Sequence, residues 1–289
     1  MKIKEALGLE NFSLEAEVLL VYSLKHENIK TQEQITKTFL YTNPNFKLSA
    51  KAEKKFKKLI EKRATGVPIA YLIYSKEFFG LDFYVDKNVL IPRPETEMLA
   101  EEGLKFLELG IRNQELGKTI NILDLGAGSG NIVISIAKNI KKTIIHNSSF
   151  IIHFHASDIS PQALKTAQKN AEKHKVKISF IKSDLFKNLP QIKFDLIIAN
   201  LPYLDPNWIS KQLEFEPKDA LDGGRDGLKI IEEFLQQAKN HLNKKSTLLL
   251  EIDPGQVKKI KKLVKKYLPR KKLSIIKDLS QLDRIVKIN

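Results

Sequence analysis

Beyond residue 118 the chain alternates short, β-branched apolar runs with longer amphipathic ones, and that alternation restricts the fold more than any other feature. The runs Ile120–Leu125, Phe150–Asp158, Ile178–Lys182, Phe194–Ala199 and Thr247–Ile252 predict strands, and two closing strands are predicted near 273–277 and 284–288. Helices are predicted between them, including Gly227–Leu242 and Gln256–Leu268. Strands of this apolar kind, separated by helices, belong in a mostly parallel sheet covered on both faces. Such sheets bind ligands beyond the carboxyl ends of their strands, near the point where strand order reverses. The residues that follow each strand are therefore the first candidates for chemistry.

The amino-terminal part has a different texture. Ser13 can cap a helix that carries Glu15 and Glu17 in its first turn and Leu14, Val18, Val21 and Tyr22 as its apolar positions. A second helix is predicted over Ser49–Arg63, with Ala52, Phe56, Leu59 and Ile60 on one stripe and a stop near Gly66 and Pro68. The aromatic run Lys76–Val85, centred on Gly80, predicts a hairpin, and Pro92 and Pro94 precede a helix over Glu95–Leu109. The expected organisation is a helical domain over 1–75, a hairpin linker over 76–94 and an α/β domain over 95–289.

Composition removes several alternatives. No cysteine occurs among the 289 residues, which excludes disulfides, thiolate nucleophiles and cysteine zinc sites. His153 and His155 share one face of a predicted strand, but no third ligand stands near them, so they read as a polar strand face and no metal site is expected. No apolar run approaches the roughly 20 residues that span a bilayer, and the start Met1-Lys2-Ile3-Lys4-Glu5 lacks a secretion signal, so a cytoplasmic protein is expected. The net charge is +15, and residues 251–289 hold twelve Lys or Arg against four acids. That region suits proximity to RNA or the ribosome. It suits a solvated helix face equally well, because Ile260, Leu263, Val264 and Tyr267 interleave the lysines at helical spacing.

The first predicted strand of the α/β region ends in Asp124-Leu125-Gly126-Ala127-Gly128-Ser129-Gly130, and a helix follows at once. Glycines allow a tight turn and close approach of a ligand, and the helix start offers free N–H groups. The second strand ends in Ser157-Asp158-Ile159-Ser160, where a carboxylate can accept both ribose hydroxyls of a nucleoside. Asp158 also suits a helix cap ahead of Pro161. After the third strand, in Ser183-Asp184-Leu185-Phe186, Asp184 can accept from an adenine amino group and Phe186 can pack on the ring, although alone the tetrapeptide reads as a turn. Together, three ligand-facing strand ends in this order resemble the seven-stranded, Rossmann-like methyltransferase fold that binds S-adenosylmethionine.

The fourth strand runs into Asn200-Leu201-Pro202-Tyr203. In this position the tetrapeptide resembles the signature of methyltransferases acting on amide or exocyclic amino nitrogens. Such a nitrogen is planar and a poor nucleophile, so acceptors for its two N–H bonds orient it and favour the pyramidal, cationic transition state. Asn200 offers a side-chain carbonyl, Leu201 a backbone carbonyl, and Tyr203 can bound the pocket. Leu90-Ile91-Pro92-Arg93-Pro94-Glu95-Thr96-Glu97, Gly66-Val67-Pro68-Ile69-Ala70-Tyr71, Glu77-Phe78-Phe79-Gly80, Leu14–Leu20 and Glu216–Leu228 carry the likeness further. With them the chain resembles the release-factor glutamine methyltransferases (the HemK/PrmC family) over nearly its whole length.

That resemblance implies that Gly126, Ala127, Gly128, Ser129, Gly130, Asp158, Asp184, Phe186 and Asn200 bind S-adenosylmethionine. It also implies that Asn200, Leu201, Pro202 and Tyr203 hold the glutamine amide of the Gly-Gly-Gln loop of class I release factors. Arg93 and Glu97 match the family pattern without a role that the sequence supplies. Two departures stand out. Leu201 replaces the family's usual proline, which is tolerable if that position contributes only its carbonyl, so Leu201→Pro is expected to be neutral. The usual glycine after Tyr71-Leu72 is missing, with Tyr74 nearby, a change expected to alter a turn rather than chemistry. The competing readings are an RNA adenine methyltransferase, a related enzyme acting on a glutamine of a ribosomal protein, and a basic ribosome-associated binding protein without activity.

Overall fold

The computed structural model describes residues 1–8, 14–25, 35–112, 119–140 and 150–289. The chain divides into two compact units, Met1–Ser75 and Lys76–Asn289.

Among the described residues, the first unit consists of α1 (Ile3–Gly8), α2 (Leu14–Lys25), α3 (Lys37–Thr42), α4 (Ala50–Ala64) and α5 (Ile69–Ile73). The α4 stripe of Ala52, Phe56 and Leu59 is buried in one core with Leu19, Leu20 and Leu24 of α2. Ser49 caps α4 by accepting from the Ala52 N–H at 3.1 Å. Near the other end, Arg63 donates twice to Glu15 of α2, at 2.7 and 2.9 Å. Ser13, the expected cap of α2, lies outside the described residues. After α5 the chain turns through Tyr74 in the left-handed region (φ 54), a conformation that glycine adopts without strain.

The second unit opens with the antiparallel hairpin β1 (Lys76–Phe78) and β2 (Leu81–Phe83). A 3-10 turn over Pro94–Thr96 then leads into α6 (Glu97–Arg112). The hairpin packs into the α/β unit: Phe78 and Phe83 are buried in the same core as Leu99 and Leu107 of α6. Among the described residues, seven strands form one sheet: β3 (Thr119–Leu125), β4 (Ile151–Asp158), β5 (Ser179–Lys182), β6 (Phe194–Ala199), β7 (Leu242–Glu251), β8 (Leu273–Lys277) and β9 (Asp283–Ile288). Their order is β5-β4-β3-β6-β7-β9-β8, with β3 to β7 parallel and the β9 and β8 pairings antiparallel. The helices α7 (Asn131–Asn139), α8 (Pro161–His174), α9 (Lys229–Ala238) and α10 (Val257–Tyr267) complete the unit.

Strand alternation divides the core in two. Ile120, Ile122, Leu196 and Ile198 join α6 and α7 on one side. Leu123, Leu125, Ile197 and Ala199 join α9 and α10 on the other. Strand order reverses at β3, which lies between β4 and β6, so the loops after β3, β4, β5 and β6 gather at one edge. One boundary departs from the sequence reading: α9 stops at Ala238 and β7 begins at Leu242. Pairing draws this stretch into the sheet, because Phe194 N–H donates to the His241 carbonyl at 2.8 Å and Phe194 lies opposite Leu242.

The segment after β6 doubles back tightly on itself. Gly227 holds φ 64, and a Cβ there would lie 1.9 Å from the Tyr203 carbonyl oxygen. Gly227→Ala should therefore destabilise the protein by about 2–5 kcal/mol in urea unfolding. Gly80→Ala, at φ 71 with open space around it, should lose only about 1–2 kcal/mol. Equal losses would show that the contact with Tyr203 does not constrain the loop.

Candidate active site

The four loops enclose a cavity of about 400 Å³ at the carboxyl edge of the sheet, a size suited to a nucleoside-like ligand. Its walls include Gly126, Ala127, Gly128 and Ser129 after β3, Asp158 after β4, Asp184 after β5, and Asn200, Leu201 and Pro202 after β6. The structure thus brings together nine of the residues singled out in the sequence.

The glycine loop is set by hydrogen bonds to its neighbours. Gly126 and Ala127 donate N–H groups to the Ser157 carbonyl at 2.8 and 2.9 Å. Asn170 of α8, fully buried, accepts from Tyr84 N–H at 2.7 Å and donates to the Tyr84 and Ser129 carbonyls at 2.9 Å each. One amide thereby ties the chain after the hairpin to the loop. Gly130 does not line the cavity. It caps α7 at φ 77, and a Cβ would meet Ile134 at 2.9 Å and Ala167 at 3.1 Å, so this glycine serves helix packing.

Asp158 is half-buried with its carboxylate at the cavity wall. It accepts from Gly128 N–H at 2.9 Å and Ser160 N–H at 2.8 Å. Ser160, not Asp158, caps α8 by accepting from Ala163 N–H at 3.2 Å. Two further lone pairs leave Asp158 able to accept ligand hydroxyls. Burial pushes its carboxyl up, and the backbone donors oppose that. Beside it, the Ser157 hydroxyl is buried at the cavity wall with no partner among the described residues. These features fit the ribose and polar arms of S-adenosylmethionine.

Phe186 departs from expectation. Leu185 takes a left-handed turn at φ 47 and lines the cavity. Phe186 is buried instead, stacked between Phe234 (ring centroids 5.5 Å apart) and His241 (4.7 Å). Burying an aromatic ring in that stack outweighs exposing it to an open cavity. The apolar surface available to a flat ring comes from Ile159 and Leu185, which no sequence pattern singled out. Asp184 remains at the wall, paired with Lys187 at 2.5 Å.

In the loop after β6, the Asn200 side-chain N–H donates to Thr96 Oγ1 at 3.1 Å. Among the described residues neither Asn200 Oδ1 nor the Leu201 carbonyl receives a hydrogen bond, so two acceptors stay open at the wall. Leu201 contributes more than its carbonyl: its side chain is buried and lies 3.3 Å from where a Gly126 Cβ would stand. Leu201→Pro would exchange that packing for the contacts of a proline ring. Tyr203 does not bound the cavity either. Its hydroxyl donates to buried Glu251 at 3.1 Å and its carbonyl accepts from Gln256 Nε2 at 2.8 Å, so a phenol that needs a partner finds it inside.

Arg93 and Glu97 acquire structural roles. Arg93 lines the cavity and donates to buried Glu216 at 2.5 Å, while the other Glu216 oxygen accepts from Ile91 N–H at 3.0 Å. Glu97 accepts from Phe79 N–H at 2.8 Å, fastening the hairpin turn to α6. Pro217, Asp219 and Asp222 complete the far wall.

Comparison with known proteins identifies the family. Residues 116–281 match the family model for a methyltransferase domain, and residues 5–73 match that for the PrmC N-terminal domain. The release factor glutamine methyltransferase of Dictyoglomus turgidum is 33% identical, over 99% of this chain and 94% of its own length. Its counterpart in Borreliella burgdorferi is 38% identical, over 85% of this chain and 79% of its own. That of Bacillus cereus is 32% identical, over 88% and 87%. The chain belongs to the release factor glutamine methyltransferase family. It is an S-adenosylmethionine-dependent methyltransferase. The fold also matches the T. thermophilus 16S rRNA N2 G1207 methyltransferase, solved with AdoMet and guanosine. The TM-score is 0.51 at 17% identity, over 74% of this chain and 49% of that one, a likeness of fold alone.

Two predictions belong to the cofactor end of the cavity. Asp158→Ala should weaken S-adenosylmethionine binding by roughly 1.5–3 kcal/mol in calorimetry of the folded variant. Unchanged affinity would confine Asp158 to holding Gly128 and Ser160. Behind the glycine loop, burial pushes the Asp124 carboxyl up to about 7 from 3.8, the Asp158 charge adds to this, and a hydrogen bond from Val133 N–H opposes it. The folded chain therefore keeps a proton that the unfolded chain loses. This carboxyl costs nothing below about pH 4, increasingly more up to about pH 7, and on the order of 4 kcal/mol above it. The stability of Asp124→Asn relative to the parent should rise between about pH 4 and 7 and then level off. A difference independent of pH would show that Asp124 is ionised in the fold.

Proposed function

We propose that this chain methylates the side-chain amide nitrogen of the glutamine in the Gly-Gly-Gln loop of class I release factors. One observation carries the reading. Asn200 turns its N–H toward Thr96 and leaves Oδ1 open beside the open Leu201 carbonyl, so the β6 end offers two acceptors for the two N–H bonds of a primary amide. The relatives named above act, by their names, on release factor glutamine.

S-adenosylmethionine, when bound, supplies an electrophilic methyl group. Asp158, the Gly126–Ser129 loop and Asp184 would hold it, with Ile159 and Leu185 against its base. The chain's own part in the reaction is orientation and charge. Asn200 Oδ1 and the Leu201 carbonyl fix the amide plane and favour the nitrogen as it becomes pyramidal and positive. Once methylated, that nitrogen is acidic and releases its proton to solvent, so no dedicated base is needed. Pro202 closes the wall beside the acceptors.

An amide offers few contacts, so placement must draw on binding energy from remote surfaces of the substrate. Residues 1–75, a compact unit with its own core, are the surface we assign to that recognition. The exposed lysines of α10, Lys258, Lys261, Lys262 and Lys265, supply the face we assign to ribosome or RNA proximity. We assign the enzyme to the cytoplasm, where release factors act; no helix among the described residues is long and apolar enough to cross a membrane.

Transfer of labelled methyl to a folded release factor and to a Gly-Gly-Gln peptide, with mass spectrometry to locate the mark, tests the reading. The full chain should modify the folded protein far better than the peptide. Asn200→Ala should lower turnover on the order of a hundredfold while keeping most cofactor affinity. Label on ribosomal RNA adenine or on a ribosomal protein, with none on the release factor glutamine, would overturn it.

A further inference from the structure

The cavity wall carries one cation among several carboxylates. Among the described residues Asp158, Asp184, Asp219 and Asp222 line it, and Arg93 is its one basic side chain. S-adenosylmethionine brings a sulfonium and an amino group, both cationic, and a single carboxylate. The acidic wall suits the two cations and leaves the carboxylate one group of opposite charge. The acceptor amide is neutral and calls for no cation.

Arg93 is held at both its backbone and its side chain. It stands between Pro92 and Pro94, and a residue before proline is kept extended, as its φ of −102 and ψ of 145 show. Its carbonyl accepts from Thr96 N–H at 3.1 Å, closing the turn that leads into α6. Its Nη2 donates to Oε1 of buried Glu216 at 2.5 Å, and Oε2 of that carboxylate accepts from Ile91 N–H at 3.0 Å. Glu216 is thus fixed by the backbone two residues before Arg93 and fixes the guanidinium in turn. That contact uses one of the five guanidinium N–H groups, and the others have no partner among the described residues. The side chain is 33% exposed, so those donors remain accessible to a ligand. A planar fork already held at a cavity wall loses little freedom on meeting a carboxylate.

The place of Arg93 suits one arm of the cofactor. Asn200 Nδ2 donates to Thr96 Oγ1 at 3.1 Å, which ties the turn that carries Arg93 to the loop after β6. In S-adenosylmethionine the methionyl arm and the transferred methyl group leave the same sulfur. A group that meets the methionyl carboxylate therefore belongs within a few bonds of the methyl, and Asp158, after β4, is left for the ribose. We propose that Arg93 binds the methionyl carboxylate of S-adenosylmethionine through the guanidinium donors that Glu216 leaves free. This role concerns the methyl donor alone and goes beyond the choice of acceptor.

Calorimetry on the full chain with two ligands tests it: S-adenosylmethionine, and its decarboxylated form, which keeps the sulfonium and the amino group and lacks only the carboxylate. The parent should bind S-adenosylmethionine about ten- to hundredfold more tightly than the decarboxylated form. Arg93→Met keeps an apolar stem and removes the cation. It should weaken S-adenosylmethionine by about the same factor and leave the decarboxylated ligand within about threefold of the parent. Because that change leaves Glu216 buried without its cation, a second protein combines Arg93→Met with Glu216→Gln. There too the two ligands should bind within about threefold of each other. Equal affinity of the parent for both ligands would overturn the proposal. So would an Arg93→Met loss that is the same for both, the mark of a purely structural arginine. No acceptor enters these measurements, so their failure leaves the release factor reading standing, and the failure of that reading leaves Arg93 in its role.

Discussion

The side-chain amide of Asn170 is the interaction on which the cofactor end of the molecule depends. It is completely buried, and it bonds the backbone at Tyr84 in both directions and the Ser129 carbonyl. A glycine-rich loop has little intrinsic preference for one conformation, because its residues lack the side chains that restrict backbone angles. Here the preference is imposed from outside, by a helix that the sheet itself positions. The same amide anchors the segment that leads from the hairpin to Asn88, Val89 and Leu90 at the cavity wall. Apolar packing of Phe78 and Phe83 holds the hairpin, and one polar contact transmits that packing to the site.

Charge is arranged against the trend of the whole chain. The protein carries +15, yet most of the charged groups gathered in and behind the cavity are acidic: Asp124, Asp158, Asp184, Asp219, Asp222 and Glu251, with Arg93 a cation on the wall. Burial raises the carboxyls of Asp124, Asp158 and Glu251, so these groups give up stability to hold a local polarity. Carboxylates near a cationic methyl donor favour its binding. The lysines lie on outer faces such as that of α10, where water screens them.

Where backbone pattern decides, the sequence was legible. The strands from β3 to β6, the hairpin and the stripe of α4 all follow from periodicity, and the loops at the strand ends follow from the parallel sheet. Side-chain direction after a strand was less legible. Leu185 and Phe186 are adjacent and both apolar, and only the left-handed turn at Leu185 decides which of them faces the cavity. Tyr203 reads as a pocket residue until its hydroxyl is seen on Glu251, a residue 48 positions away. Thr96 stands in a segment whose family likeness was plain, but its hydrogen bond from Asn200, 104 positions away, is not. Long-range partners of this kind leave no local trace in the sequence.

The contact between Leu201 and Gly126 is small, a single side chain lying over a position with no Cβ. It nevertheless joins the floor of the donor half of the cavity to the acceptor loop, so neither can be displaced alone. A ligand that shifted either loop would press on the other through this contact. Whatever free energy the first ligand contributes to the second, the second must return to the first. A bulkier residue at 201 would thus press on both loops at once, whichever of them a ligand meets first.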